Sequence, residues 1–373
     1  MGKYIRFVGL DVHKESIAVA VADAGGEGES PGTVPNDGES IRKLVKKLRD
    51  GKRELAVCYE AGPTGYALYW QLTKLGVACV VVAPSLIPVR AGDRVKTDRR
   101  DATKLARLYR AGELTAVWVP TPEREALRDL VRGREAAKKD ERRARNRLQK
   151  FLLRRGVRKP GKMREGSEVY RKWILSVSFE HGAQIAVRDD LVAEVDHAIH
   201  RIARLDAALD EAIAAAPAEM RAVIDALQAL RGVAKLTATS IVAEVGQLSR
   251  FAHPRELMGY SGTVPSEQSS GDRIRRGPIT KTGNAHLRRV VGEAAWQYRH
   301  RPRVIGALRK RQQGLPSAVI DIAEKAQQRL HRRYRALVAK KCKQKAITAV
   351  ARELLGFIWA IGVHVESNAN AAA

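Results

Sequence analysis

The chain has 373 residues, enough for two or three domains, and carries 68 Lys and Arg against 41 Asp and Glu. A formal net charge of +27 makes the chain repel itself, so we expect a polyanionic partner. A ribosome-associated or simply basic protein is the alternative. Aromatic residues make up only 5%, so contacts from Lys and Arg to phosphate, weakened by salt, should dominate over base stacking.

The three cysteines, Cys58, Cys79 and Cys342, lie far apart and form no CxxC pair. This spacing excludes the usual zinc-finger and disulfide-framework proteins and fits a reducing compartment. The N-terminal residues contain no secretory segment, and the longest apolar stretch, LLGFIWAIGV, is too short to span a bilayer. We therefore expect a cytoplasmic protein that has no membrane partner.

The N-terminal region, residues 3 to about 118, is predicted to be α/β. The predicted elements are strands over YIRFVGLDVH and SIAVAVAD, a short strand near 32–34, a helix over IRKLVKKLRD that Ser40 opens or caps, a strand over RELAVCYE, a helix over TGYALYWQLTKLG, a strand over VACVVVAP, and a helix over DRRDATKLARLYRAG. Three antiparallel strands followed by alternating helices and strands are the order of a ribonuclease H-like fold.

Four carboxylates fall at informative places in this order of elements. Asp11 lies in the first strand and Glu60 ends the fourth, while Asp98 and Asp101 share one face of a late helix. Converging oxygen ligands suit Mg²⁺ or Mn²⁺, and two ions about 4 Å apart could bind the attacking and leaving oxygens of a phosphodiester. The alternative is that each acid is a surface charge, or that Asp98 caps its helix. His13 is interpreted as an exposed residue at a strand end, and a metal ligand is the alternative.

The middle of the chain, from Thr121 to about Pro217, is predicted to be helical. Pro122 suits a first helical turn, and the following helix becomes densely basic in its second half. That half carries the candidate nucleic-acid-binding residues Arg142, Arg143, Arg145 and Arg147. We interpret this surface as a contact for a nucleic-acid backbone. A solvated helix face is the alternative.

A second long helix has apolar residues at alternating steps of three and four, the a/d pattern of a coiled coil. These residues are Leu191, Val195, Ala198, Ile202, Leu205, Leu209 and Ala212. The seam could pack against the first long helix of the same chain or against another copy, and both alternatives remain open.

The C-terminal part begins with LRGVAKLTATSIVAEVG, which resembles a helix-hairpin-helix whose backbone N–H groups contact phosphate. Ala234 stands where a second glycine is usual, so an ordinary helical hairpin is an equal alternative. A loop rich in Gly and Ser follows, and then a helix that opens near Asn284. The loop contains the hydroxyls of Ser269 and Ser270 before Gly271. Its basic residues are Arg273, Arg275, Arg276 and Lys281.

Three N-terminal motifs carry a family resemblance. GLDVHKESIAVAV, CYEAGPTGYALYWQL and VKTDRRDATKLARL resemble the RuvC-like domain of the insertion-sequence 110/1111 transposases, the DEDD transposases that include the pilin-inversion recombinase. The resemblance implies that the acidic tetrad of this family falls on Asp11, Glu60, Asp98 and Asp101.

The serine loop resembles the C-terminal domain of the same transposases through GxVPSxxxSSG and GPITKTGNxHLRR. A serine of that domain attacks DNA and becomes joined to a 5′ phosphate. The matching position is Ser270, and Ser269 is its rival. The hypothesis is that Mg²⁺ on the four acids polarises the phosphate while Arg275, Arg276 and Lys281 neutralise developing charge.

The expected fold class is α/β plus all-α: a ribonuclease H-like (RuvC-like) domain at 1–118, a basic coiled-coil region at 119–217, a transposase domain with the helix-hairpin-helix and serine loop at 218–310, and C-terminal helices at 311–373. The resemblance further implies a bridge RNA that guides the protein to donor and target DNA, and a dimer or tetramer with shared active sites. The alternatives are a metal-dependent junction-resolving nuclease without a covalent intermediate, and a non-catalytic nucleic-acid-binding scaffold.

Overall fold

The computed structural model describes residues 4–23, 29–49, 53–89, 92, 96–271 and 273–372, with side chains described up to 369. The chain divides into two compact units, Met1–Val119 and Pro120–Ala373. The first unit is built on a five-stranded sheet, and the second is mainly helical. The finer division into four parts stays a prediction.

The first unit has the mixed α/β architecture that the sequence predicts. Its strands and helices are β1 (Tyr4–Val12), β2 (Ser16–Ala22), β3 (Glu29–Pro35), α1 (Gly38–Leu48), β4 (Arg53–Glu60), α2 (Ala67–Lys74), β5 (Ala78–Val82) and α3 (Asp98–Arg110). The strands lie in the order β3-β2-β1-β4-β5. The pairs β1–β2 and β2–β3 are antiparallel, and β1–β4 and β4–β5 are parallel. This arrangement is consistent with a ribonuclease H-like transposase domain.

Helices cover both faces of the sheet, which explains why β2 is buried along almost its whole length. Leucine, isoleucine and valine side chains of α1 and α2 pack on one face, and small side chains of α3 pack on the other. A Cβ atom at Gly9 of β1 would lie 2.3 Å from the carbonyl oxygen of Ala102 and 2.4 Å from the nitrogen of Ala106. Glycine at this position therefore allows α3 to approach β1 closely, with the first turn of α3 near the carboxyl end of the strand.

Two helix starts differ from the sequence-based expectation. Asp37 caps α1, because its Oδ1 atom accepts hydrogen bonds from the backbone nitrogens of Glu39 (2.9 Å) and Ser40 (2.8 Å). The prediction that Ser40 opens this helix is therefore wrong. The side chain of Thr97 caps α3, so Asp98 is the first helical residue and not the cap. Short polar side chains compete for the same backbone donors, and tertiary packing selects among them.

The second unit contains ten helices and one β-hairpin among its described residues. These elements are α4 (Pro122–Arg154), α5 (Glu168–Ser176), α6 (Gly182–Ala215), α7 (Ala218–Leu227), α8 (Lys235–Val245), α9 (Pro254–Tyr260), β6 (Pro265–Glu267), β7 (Arg276–Ile279), α10 (Ala285–Ala295), α11 (Gly306–Gln312), α12 (Ser317–Val338) and α13 (Lys343–Ala372). The helical interpretation of α7 and α8 is confirmed, whereas the phosphate-binding helix-hairpin-helix stays a prediction.

The long helices α4 and α6 pack against each other as an antiparallel hairpin within one chain. Two salt bridges along the pair fix the direction: Arg134 binds Asp206 at 2.9 Å, and Arg147 binds Glu194 at 2.9 Å. Several residues of the predicted seam, such as Val195, are buried in this packing. The intramolecular alternative therefore accounts for part of the apolar pattern, and pairing between copies stays a prediction.

The core of the second unit forms around α13, whose buried face contacts α7, α9, α10 and α12. Within the described residues, Lys343–Ala369 is the one helix long and apolar enough to cross a membrane, with a mean hydropathy of 1.6. The expectation that the apolar stretch LLGFIWAIGV is too short to span a bilayer is therefore wrong for this helix, because apolar residues continue beyond the stretch on both sides. Half of the most apolar 18-residue segment of this helix is buried inside the structure, which is typical of the core helix of a folded domain.

Candidate active site

Two of the predicted acids end neighbouring parallel strands. Gly9 of β1 is paired with Cys58 of β4, and both residues face α3, where the Cys58 thiol lies 3.6 Å from the Leu105 carbonyl oxygen. Because side chains alternate along a strand, Asp11 and Glu60, each two residues further on, lie on this same face. The sheet register therefore brings the two acids to one edge, beside the first turn of α3.

The side chains of Asp11, His13 and Asp98 form a compact group in which the candidate ligand atoms lie within 4.8 Å of one another. The His13 Nε2 atom is 3.3 Å from Asp11 Oδ2 and 3.6 Å from Asp98 Oδ1. Asp101 follows one turn along α3, and its negative charge acts on Asp11. The exposed Glu60 carboxylate is not part of this group. Three of the four predicted acids, Asp11, Asp98 and Asp101, therefore lie close together, and Glu60 lies at the end of the neighbouring strand β4.

Burial raises the pKa of Asp11, and the nearby charges of Asp101 and Asp98 raise it further, while His13 opposes the rise. Partial burial and like charges both make the ionised carboxylate less favourable. Asp98 remains largely exposed, and Lys96 lies 3.8 Å from Asp101. A cation bound between these carboxylates would reduce the electrostatic repulsion among Asp11, Asp98 and Asp101.

The donor atoms at this edge fit a hard divalent cation. Carboxylate oxygens from Asp11, Asp98 and Asp101, with Glu60 on the adjoining strand end, are the ligands that Mg²⁺ and Mn²⁺ prefer. Such an ion polarises a phosphodiester and stabilises the negative charge that develops during its cleavage. The prediction of a divalent-metal site is therefore supported by the chemistry of the donor set.

His13 belongs to this group, although the sequence-based interpretation left it outside the site. Half of its side chain is exposed, as expected for a residue after a strand end, but its imidazole contacts two of the acids. A signal was available in the spacing: residues 11 and 13 lie on one face when a strand conformation continues. The position of Asp98, on a helix far along the chain, could not be obtained from that spacing.

The predicted serine loop is in fact a short β-hairpin. Strand β6 pairs antiparallel with β7, with Pro265 opposite Ile279 and Glu267 opposite Arg276. The prediction of a loop is wrong for the residues of these two strands. Strands of three and four residues are too short to show the alternation of apolar and polar residues that indicates a strand. The serines lie in the tip between the two strands.

The base of the hairpin is held rigidly by two close backbone approaches. The nitrogen of Asn284 donates to the carbonyl oxygen of Tyr260 at 2.8 Å, and the Asn284 side chain caps α10, which confirms the predicted helix start near this residue. A Cβ atom at Gly262 would lie 2.2 Å from the Thr282 carbonyl oxygen, and Gly262 has a φ of +67°. Only glycine satisfies both conditions, so the two ends of the hairpin are locked together.

A buried carboxylate links this base to the long helix α4. The side chain of Glu244 is 1% exposed and accepts hydrogen bonds from Arg132 Nε (2.8 Å) and Nη2 (2.9 Å). The Asn284 amide donates to Glu244 at 2.7 Å, and the Tyr260 hydroxyl donates to the Glu244 carbonyl oxygen at 2.9 Å. Burial alone would raise the pKa of Glu244, yet these hydrogen bonds and the Arg132 charge lower it.

The two candidate serines have different surroundings at the tip. The Ser269 hydroxyl donates to Glu267 at 2.8 Å and accepts from the backbone nitrogen of Arg275 at 3.1 Å. Ser270 is exposed, and its hydroxyl makes no hydrogen bond with the described part of the chain, while its backbone pairs with Arg273. Ser269 therefore shapes the tip, and Ser270 presents its hydroxyl to solvent. A hydrogen bond from Ser269 to a carboxylate also resembles a nucleophile–base pair, so Ser269 remains the rival.

The basic residues of the hairpin are exposed, and one of them is ion-paired with another described residue. Arg276 binds Glu267 at 3.3 Å. The remaining residues of this set are Arg273, Arg275 and Lys281. A concentration of positive side chains around the two hydroxyls is what contact with a phosphate backbone requires.

Most of the predicted nucleic-acid-binding arginines of α4 are already paired with acids. Arg143 binds Asp140 at 3.2 Å, Arg145 binds Glu141, and Arg147 binds Glu194. Arg142 is exposed and makes no ion pair with the residues that the structure describes.

We therefore expect Arg142→Ala to reduce the salt dependence of nucleic-acid binding more than Arg143→Ala. One lost phosphate contact lowers the slope of log K against log salt concentration by about 0.9 for duplex DNA. Arg143 must first leave Asp140, so its removal should change the slope less. Filter-binding titrations at several salt concentrations measure both slopes. An unchanged slope for Arg142→Ala would remove this turn of α4 from the interface.

Comparisons with known proteins identify the family. Residues 8–155 match a family model described as "Transposase", and residues 224–308 match the model "Transposase IS116/IS110/IS902 family". The Sinorhizobium fredii protein y4qE is 45% identical over 95% of this chain and 88% of its own length. The transposase for insertion sequence element IS1533 of Leptospira borgpetersenii is 33% identical over 90% of this chain and 98% of its own. The carboxylate edge and the serine hairpin thus lie within the two matched segments, and the chain belongs to the IS116/IS110/IS902 family of insertion-sequence transposases.

Proposed function

We propose that this transposase cuts and rejoins DNA at the ends of an insertion sequence through a covalent serine–DNA intermediate. The observation that carries the proposal is the exposed, unbonded hydroxyl of Ser270 at the tip of a rigidly based, arginine-rich hairpin. A hydroxyl that is free of hydrogen bonds within the described chain and surrounded by positive charge is available to a phosphodiester. Ser269, by contrast, would have to give up two hydrogen bonds before it could react.

In the proposed step, the Ser270 oxygen attacks phosphorus and forms a new ester bond to the 5′ phosphate. The bond from phosphorus to the 3′ oxygen breaks, and the serine proton is transferred, directly or through water, to the released 3′ hydroxyl. Reversal with a different 3′ hydroxyl rejoins the strand. One phosphoester replaces another at each stage, so rejoining requires no added energy source.

The acids of the first unit would hold the divalent ion of this reaction. Asp11, Asp98 and Asp101 would supply the ligands, and Glu60 would complete the set from the adjoining strand end. When bound, Mg²⁺ or Mn²⁺ would stabilise negative charge on the scissile phosphate. Arg275, Arg276 and Lys281 would neutralise the remaining charge and position the DNA backbone.

The proposed partners are donor DNA, target DNA and a bridge RNA. The net charge of +27 and the low aromatic content favour recognition of phosphate backbones over reading of bases. Sequence recognition would then be delegated to pairing between RNA and DNA. We propose that two to four copies assemble on these nucleic acids and share active sites.

The test is a cleavage assay with the full chain, Mg²⁺, RNA from the non-coding end of the element, and DNA carrying its ends. Wild-type protein should give an adduct with DNA that survives SDS. Asp11→Asn should reduce cleavage on the order of 10²–10³-fold or more, because a neutral amide cannot supply the charge that binds the ion. DNA binding should remain.

Asp190→Asn, a change of the same type at an exposed position of α6, is the matched control and should cleave like wild type. Cleavage without any adduct would favour a nuclease that uses water, and no cleavage at all by the wild-type protein would favour a non-catalytic scaffold. Full activity of Asp11→Asn would contradict the proposed role of the acids.

A further inference from the structure

The imidazole of His13 lies among the acids of the proposed metal site but has no role in the proposed reaction. Its Nε2 atom lies between Asp11 Oδ2, at 3.3 Å, and Asp98 Oδ1, at 3.6 Å. Within the described residues, this is the one group of three candidate ligand side chains, and it includes a nitrogen. The carboxylate side chains alone would offer a metal ion only oxygen ligands.

The distances in this group match those between ligands of a single ion. With metal–ligand bonds of about 2.1 Å, adjacent ligands of an octahedral ion lie about 3.0 Å apart and opposite ligands about 4.2 Å apart. The two His13 contacts fall between these values, and all three ligand atoms lie within 4.8 Å of one another. Small side-chain adjustments would therefore be enough for Asp11, His13 and Asp98 to bind one ion.

The backbone of His13 is also fixed on both sides. Its nitrogen donates to the carbonyl oxygen of Ser16 at 2.8 Å across the turn between β1 and β2. Its carbonyl oxygen accepts a hydrogen bond from the Asn36 side chain at 2.8 Å. A ligand on a backbone held in this way loses little conformational freedom when it binds an ion.

We propose that His13 is a nitrogen ligand of the divalent ion held by Asp11 and Asp98, and that it shifts the preference of this centre from Mg²⁺ toward Mn²⁺. The inference rests on the metal centre of the proposed function. Mg²⁺ strongly prefers oxygen, whereas Mn²⁺ and later divalent metals accept imidazole more readily. One imidazole among carboxylates therefore favours Mn²⁺ without excluding Mg²⁺.

Pulsed electron paramagnetic resonance of Mn²⁺ bound to the full-length protein tests this ligand directly. Wild-type protein should show the modulation of a coordinated ¹⁴N nucleus, and protein labelled with [¹⁵N]histidine should show the ¹⁵N pattern in its place. His13→Gln should lose the nitrogen coupling and bind Mn²⁺ on the order of 10-fold more weakly. The concentration of Mg²⁺ that displaces a fixed fraction of bound Mn²⁺ should fall accordingly.

Two variants separate the possible outcomes. His197→Gln changes an exposed histidine of α6 and should leave the spectrum and affinity unchanged. Asp11→Asn should abolish Mn²⁺ binding. Carboxylate-dependent Mn²⁺ binding with no histidine coupling would overturn the role of His13 and leave the proposed function standing. Absence of any Mn²⁺ binding by the wild-type protein would overturn both. If His13→Gln fails to fold, the labelled wild-type protein still tests the proposal: absence of a ¹⁵N coupling contradicts it, and a ¹⁵N coupling supports His13 because it is the one histidine in a candidate ligand group of the described residues.

Discussion

Ser270→Ala is expected to abolish the SDS-resistant protein–DNA adduct and to reduce strand cleavage at least about 10³-fold. Alanine removes the only atom of this side chain that can form an ester with phosphorus, and loss of a catalytic serine generally removes most of the rate enhancement. The hydroxyl makes no hydrogen bond within the described residues, so its loss should not disturb the hairpin. The measurement is a single-turnover assay in which adduct and free cleaved strand are quantified on the same gel.

Ser269→Ala is the matched control one position away. It removes the hydrogen bonds to Glu267 and to the backbone nitrogen of Arg275, so the tip should become less well ordered. We expect cleavage to fall about 10-fold or less, with the adduct still formed on Ser270. The reverse result, an adduct that survives in Ser270→Ala and disappears in Ser269→Ala, would identify Ser269 as the nucleophile. Undiminished cleavage without an adduct in Ser270→Ala would indicate hydrolysis by water.

Glu244→Ala is expected to lower the free energy of unfolding of the second unit by about 1–3 kcal/mol, because the Arg132 side chain is 42% exposed and can turn to water. The substitution leaves the guanidinium of Arg132 and the amide of Asn284 without the buried partner that binds both. It also opens a cavity between α4, α8 and the base of the hairpin. Because Ser270 lies on that hairpin, we expect cleavage to fall as well, although no catalytic group has changed.

Urea denaturation followed by circular dichroism measures the change in stability. The chain has two units, so the transitions are fitted separately and compared by their midpoints. Glu211→Ala removes an exposed carboxylate of α6 and should change stability by about 0.5 kcal/mol or less. Equal midpoints for Glu244→Ala and Glu211→Ala would show that the ion pair of the buried Glu244 with Arg132 does not stabilise the fold.

The same measurement repeated across pH should show an acid-sensitive contribution from Glu135, a largely buried carboxylate of the second unit. Burial disfavours the charge of Glu135, but hydrogen bonds from Lys139, His286 and Arg289 outweigh it and lower its pKa from 4.5 to about 2. Above pH 4.5 the ionised carboxylate stabilises the fold fully. As the pH falls from 4.5 toward 2, the unfolded chain binds a proton first, and this stabilisation is progressively lost. Glu135→Gln should flatten the stability profile in that range.

Much of the first unit could be predicted from local patterns. Continuous apolar runs in β2 and β4 indicate strands buried on both faces, and the spacing of apolar residues in α1 indicates an amphipathic helix. Asp11 and Glu60 could be assigned to strand ends from the apolar runs of β1 and β4 alone. The helix caps could not, because Asp37 or Ser40, and Thr97 or Asp98, are equally good capping residues in sequence.

The serine hairpin shows where local patterns stop being informative. Strands of three and four residues carry no periodicity, and their pairing depends on contacts between Tyr260 and Asn284 at the base. The seam of α6 left two partners possible, and the chain itself supplies one of them in α4. Each of these outcomes depends on residues that are distant in sequence, so no window of sequence contains the information.

The amino-acid sequence by itself determined the class of chemistry, because net charge, residue types and motif order do not depend on how the chain packs. It indicated a basic protein with four candidate acids, two candidate serines and the motifs of an insertion-sequence transposase. The tertiary structure decided which side chains meet. Strand register and the close approach of α3 at Gly9 bring His13 between Asp11 and Asp98, and hydrogen bonding at the hairpin tip distinguishes Ser269 from Ser270. Distances between atoms arise only when separate segments fold onto one another.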